Sequence, residues 1–446
     1  MEQFHNSKAT FTKPFLVFGL ILLAATLIFG LLGATEYAFS GIWRNTLSFE
    51  KIRPLHVSSA VFWILITAVG CVFTFLREHN QEELKHTKLI RFIFFIFAFS
   101  FSAILISYFF GIFGGREYWE FNPYFSIPIT IGWVLVIYVF LSNLKTLRNQ
   151  PVYIWMWFTG VLFFLFTYLE SNLWVIPEIR NNLVKDMTIQ WKSYGSLVGS
   201  WNLLIYGSSL YLMDKIAGTK KYSYSSLAFW IYFLGLFNLM FNWGHHIYTL
   251  PTEPYVRHVA YFVSMTELLL FGRTIYLWKS SVREGKKHFN IEAYRFLLAA
   301  DVWVFLTLGL AIAMSVPALN VYMHGTHIVV AHTMGATIGI NSMLLLAFIA
   351  DVYSTKKLSE KTVQKGYWII NGSLVVFWLA LIGAGIIKAY WQFNKTDFVY
   401  SDLMNTLRPY FYVFLLSGIT LIVGFFMVIV PFMRRFVVSL YFRWQN

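Results

Sequence analysis

Residues 324–334 read HGTHIVVAHTM, three histidines and a methionine at the opening of a long apolar stretch. An imidazole inside an apolar helix needs a polar partner, and a metal is a strong candidate. His332 and Met334 are two positions apart, which at about 100° per residue sets them on nearly opposite faces of a helix. One helix can therefore ligate two separate centres, provided the rest of the chain supplies the other ligands. Whether that helix lies in a membrane is decided by composition.

The chain has 446 residues, of which 58% are hydrophobic, 20% aromatic and only 13% charged. This is a membrane composition. A span needs roughly 20 apolar residues, and twelve stretches qualify: 14–35, 55–76, 90–112, 124–144, 152–176, 190–213, 227–247, 258–278, 295–316, 324–352, 367–391 and 409–433. They fill the chain. The expectation is an all-α integral membrane protein, a single membrane domain over 1–446 with no sizeable soluble part. No internal repeat or long linker interrupts it. The first stretch lacks a small-residue cleavage site and reads as the first span rather than a signal peptide.

The formal net charge is +14. Lys and Arg concentrate before span one, in the even-numbered connections and at the C-terminus. By the positive-inside rule both termini are expected in the cytoplasm, and the charge points to a membrane surface rather than to nucleic acid. The single Cys71 cannot form an intrachain disulfide.

This topology places the ligand-like residues. His56 opens span two, the pair His245 and His246 closes span seven, and His324, His327, His332 and Met334 open span ten. The loop GGREYWEF at 114–121 joins spans three and four. All four features fall toward the outer face, where unrelated core histidines would not be expected to agree. Adjacent histidines point about 100° apart and suit neighbouring positions on one non-haem metal. His332 and Met334 suit two haems flanking one helix, with His56 as the second axial ligand of one. Twelve spans also describe many secondary transporters, but those usually show repeat symmetry and midplane sites.

These motifs, GGREYWEF (114–121), WGHHIY (243–248), SMTE (264–267) and HGTHIVVAH (324–332), resemble the haem-copper oxidase superfamily, specifically the large catalytic subunit of bacterial nitric oxide reductase. The resemblance covers essentially the whole chain and implies a twelve-helix haem-copper oxidase-like bundle in a bacterial inner membrane. It implies that His332 holds a high-spin haem b, that His56 and Met334 hold a low-spin haem b, and that His245 and His246 hold a non-haem iron or another metal. Glu117 matches a glutamate that helps bind calcium, Glu120 and Glu267 match acidic residues of proton delivery, and His324 matches a histidine near the haem propionates. The implied reaction is reduction of nitric oxide to nitrous oxide, fed by a cytochrome c or copper-containing donor subunit. No C-x-x-C-H haem-attachment motif is possible with one cysteine, and the large N-terminal extension of quinol-dependent relatives is lacking.

The departures carry equal weight. The family places a third iron-ligating histidine early on span six, with glutamates four and eight residues later; Tyr194, Val198 and Asn202 stand there. Span six contains no histidine and no carboxylate. The family's second low-spin ligand, a histidine, is Met334. Three readings stay open: Tyr194 or Asn202 completes the metal site; the chain is an altered, non-catalytic haem protein; or the pocket performs oxygen reduction or NO dismutation.

Overall fold

The computed structural model describes residues 11–281, 290–353, 360–394 and 399–444. No strand forms among them. The long helices are α1 (Lys13–Ala38), α2 (Phe49–Asn80), α3 (Thr87–Phe109), α4 (Ser126–Asn143), α5 (Val152–Glu170), α6 (Leu183–Ala217), α7 (Ser226–Phe241), α8 (Pro254–Ser281), α9 (Ile291–Ser315), α10 (His327–Tyr353), α11 (Lys361–Asn394) and α12 (Tyr400–Trp444). Among the described residues ten helices are long and apolar enough to cross a membrane. Predicted spans six and eight fall on α6 and α8, of 35 and 28 residues, which are not among those ten. For α6 the reason is local. Ser193, Tyr194, Ser196 and Ser200 are buried inside the bundle rather than set against lipid, and they dilute its hydropathy.

The centre of the bundle is α2. In its apolar window 94% of the residues are buried, against 33% for α3 and 24% for the window containing α7. The run VFWILITAVGCVFTF is apolar on every face, as a helix wrapped by others must be. Its neighbours include α1, α3 and α6, while α11 pairs with α12 and α12 closes onto α1.

Two close approaches shape the interior. Gly160 of α5 sits where a methyl group would come within 2.8 Å of the Ser200 carbonyl of α6. Small residues let membrane helices pack backbone to backbone in this way. The second lies on α10, which is not uniform: its α-helical turns give way to a π segment over Gly335–Ser342 and then resume. Gly335 and Gly339 turn toward Thr307 and Trp303 of α9, where any side chain would collide. Trp63 of α2 donates its Nε1 hydrogen to Ser342 Oγ at 3.1 Å, tying the π segment to the central helix. Such widened turns recur at functional sites.

Candidate haem and metal site

A cavity of about 370 Å³ lies between α1, α2, α6, α9 and α10, and it gathers His56, Tyr194, His245, His246, His332 and Met334. Residues from four separate stretches of the sequence thus share one space. His324 does not line the cavity. Glu117 and Glu120 lie outside, in the 114–121 loop. Glu267 lies on α8, but its side chain is outside the described residues; Ser264, three residues earlier, lines the cavity. His327 points away and packs on Tyr37 and Phe411, with ring centroids 5.9 and 5.2 Å apart.

At one side of the cavity, His56 Nδ1 donates to the backbone carbonyl of Thr26 on α1 at 2.9 Å. That bond fixes the tautomer and leaves Nε2 as the lone-pair nitrogen, the usual outer-shell arrangement of a metal-ligating histidine. Space for the ring exists because α1 carries Gly30: a β-carbon there would lie 2.9 Å from the His56 ring. Gly30→Ala is therefore expected to press the imidazole out of place. The overpacking should cost about 1–3 kcal/mol, read as a lower unfolding temperature together with a shifted low-spin haem spectrum. Met334 lines the same cavity. A methionine in an apolar helix is ordinarily core filler, but this one borders the space beside a tautomer-fixed histidine.

On the other side stand the two histidines of the 3₁₀ turn Asn242–Ile247. Their ring centroids are 4.1 Å apart, so the tight turn brings both imidazoles to one place. Trp191 of α6 stacks on His246, with centroids 5.0 Å apart and planes 12° off parallel. Tyr194 follows Trp191 by three residues and Asn202 follows Tyr194 by eight, about two turns, so both lie near the same face of α6. Among the described residues no three His, Cys, Asp or Glu side chains gather as a ligand set. A metal held by His245 and His246 would draw further donors from the Tyr194 hydroxyl or the Asn202 carbonyl.

Buried polar atoms test whether these residues suit cofactors. A buried polar group without a partner is costly. Tyr194 Oη, Trp201 Nε1, Asn202 Oδ1, Thr307 Oγ1, His332 Nδ1 and Asn341 Oδ1 are all buried without a hydrogen bond of ordinary geometry among the described residues, and all six residues line this one cavity. The donor types fit haems at His332 and at His56 with Met334, and two imidazoles fit a transition metal.

The donors do not fit calcium at Glu117. That carboxylate takes the guanidinium of Arg53, Nη2 to Oε1 at 2.9 Å, and Arg53 Nη1 also pairs with Glu120. Calcium needs six to eight oxygen ligands. Burial holds the Glu120 carboxyl above its usual range, against the lowering pull of Arg53. The loop itself is a closed turn. The Gly114 and Gly115 amides donate to the Glu120 carbonyl, Arg116 and Trp119 exchange two backbone bonds, and Tyr118 adopts φ 67°. A left-handed tyrosine is uncommon and marks a conformation imposed by its surroundings; its ring lines the cavity and meets Tyr194 edge-on, with centroids 5.3 Å apart.

The family described as Cytochrome C and Quinol oxidase polypeptide I matches residues 10–420. The chain belongs to this family. It is similar to a nitric oxide reductase subunit of Stutzerimonas stutzeri, 23% identical over 95% of the chain and 94% of the relative. It is also similar to the Cbb3-type cytochrome c oxidase subunit CcoN1 of the same organism, 23% identical over 77% of the chain and 74% of the relative. In three dimensions it resembles a haem-copper terminal oxidase dimer solved by electron cryo-microscopy, with a TM-score of 0.72 and 13% identity, covering 95% of this chain and 83% of that one. Haem-copper oxidases are multi-pass membrane oxidoreductases of respiratory electron transport that bind haems and a non-haem metal. Several residues of this site carry no motif and escape sequence reading: Thr26, Gly30, Arg53 and Trp191. A signal for Arg53 does exist, since it precedes His56 by three residues and so shares its helix face.

Proposed function

We propose that this chain is the catalytic subunit of a nitric oxide reductase, converting two NO, two electrons and two protons into N₂O and water. The observation that carries this reading is the end-to-end match to the nitric oxide reductase subunit of Stutzerimonas stutzeri, 95% of the chain and 94% of the relative; the cytochrome oxidase CcoN1 matches over only 74% of its own length.

In this reading His332 holds a high-spin haem b, His56 and Met334 hold a low-spin haem b, and His245 and His246 hold a non-haem iron with Tyr194 or Asn202 as oxygen donor. Bound there, the haem–metal pair supplies reducing electrons and a confined place for two NO molecules. The chain's own residues do the rest. Ala60, Val61, Ile64 and Leu308 line the cavity and exclude water. The Tyr194 hydroxyl and Asn202 amide oxygen, without hydrogen-bond partners among the described residues, orient small polar reactants. Glu120, with a carboxyl raised by burial, and Glu267 serve proton delivery. Electrons come from a cytochrome c or copper-containing partner subunit, and the metal side faces outward from a bacterial inner membrane with both termini in the cytoplasm.

One observation favours a second reading, oxygen reduction. Among the described residues no Asp or Glu lines the cavity, whereas iron favours an oxygen ligand more than copper does. Gas measurements on the purified, electron-fed complex separate the two. NO consumption with N₂O release supports the first, and O₂ uptake without N₂O formation would replace it with the second. Met334→His is expected to lower the low-spin haem potential, on the order of 0.1 V, because Met/His ligation raises potential relative to two histidines. A potentiometric titration showing no change would remove Met334 from the ligand set.

A further inference from the structure

At the corner of the fold between α2 and the 114–121 loop, Arg53 pairs with two carboxylates, Glu117 and Glu120. We propose that Arg53 is the built-in cation of this corner, standing where a divalent ion would otherwise join Glu117 to Glu120, so that the chain needs no calcium.

The geometry carries the argument. Arg53 spends one guanidinium nitrogen on each carboxylate, with Nη2 on Glu117 and Nη1 on Glu120. A single planar group therefore bridges two side chains of the closed loop, the function a bridging metal serves through shared oxygens. Guanidinium geometry suits this, since its donors diverge in a fixed fork and it cannot be deprotonated in a protein. An incoming calcium ion would have to displace that guanidinium from Glu117 or sit beside it, charge against charge. The second Glu120 oxygen is buried without a hydrogen-bond partner among the described residues.

The clamp also reaches the cofactor cavity. Arg53 sits one turn before His56 on α2, and its partner Glu117 immediately precedes Tyr118 in the loop. It is thus a positioning residue for the loop that brings Tyr118 to the cavity wall, whichever gas is reduced there.

The test uses the full purified chain with its cofactors. The wild type, dialysed against EGTA and then returned to about 1 mM calcium, a concentration that fills weak calcium sites, is expected to hold only background calcium by elemental analysis. Its melting temperature should be the same in both media. One retained calcium per chain, or a melting temperature that falls in EGTA, would overturn the proposal. R53M keeps the aliphatic stem and removes the charge. It is expected to melt lower in EGTA and to be restored toward wild type by added calcium, whereas R53K should stay insensitive to calcium. R53M matching wild type in both media would equally overturn it. Should R53M fail to assemble, the calcium content of the wild type decides.

Discussion

His332→Ala is expected to yield a folded chain that keeps the low-spin haem, lacks the high-spin haem and has no turnover. The imidazole lies in the interior of the cavity, its Nδ1 makes no ordinary hydrogen bond among the described residues, and its neighbours on α10, Ile328 and Ala331, are buried through their own packing. Little of the fold depends on the ring. Its removal leaves no other histidine on that face of α10 to hold the haem. Optical spectra of the reduced protein, with and without carbon monoxide, check this. The carbon-monoxide-sensitive band should vanish while the low-spin band persists. An unchanged spectrum would end the assignment of His332.

Replacing His245 and His246 together by alanine should have the opposite signature. Both haems should remain, and the non-haem metal should be lost from elemental analysis. Activity should fall by more than about 10³-fold, since loss of even an outer-shell partner to a metal ligand typically costs 10–100-fold. The turn itself should survive, because other contacts hold it. Asn320 Nδ2 reaches the His245 backbone carbonyl at 3.4 Å, and the Tyr248 hydroxyl donates to the Ser315 carbonyl at 3.0 Å. Full metal content with activity retained in the double variant would show that the pair is structural. Together the two substitutions separate haem binding from metal binding, which a single inactive variant cannot do.

The bundle was legible from hydropathy because lipid imposes length and apolarity on nearly every span. It was legible least well at α6, where lining a cavity requires serines, a tyrosine and an asparagine, and the helix stops looking like a span. The convergence of His56, His245, His246, His332 and Met334 was readable because topology places the ends of spans at known depths, and depth is most of what a small site requires. What the sequence did not carry was lateral contact. The Thr26 carbonyl is a backbone atom and has no motif. Gly30 matters through what it lacks. The stacking of Trp191 on His246 joins residues 55 positions apart, and Arg53 gains meaning only once the loop closes beneath it. Glu117 is another such case: the motif gives its residue type, and only the fold gives its pairing with Arg53.

The π segment on α10 has a consequence for how this helix tolerates change. Each widened turn holds more residues than an α turn, so the segment accommodates surplus chain between Met334 and Met343. Deleting one residue within 335–342 would let the segment tighten toward α geometry with little change of register, whereas deleting one from an α turn between Met334 and the buried far end would rotate everything beyond by about 100° relative to His332 and Met334. The residues from Leu344 to Ala350, almost wholly buried in this register, would then be turned out of their packing. The helix is in effect two rods joined by a collar: one rod is keyed to the cofactors, the other to the packing at the far end. The collar is the length adjustment that lets both keys fit at once.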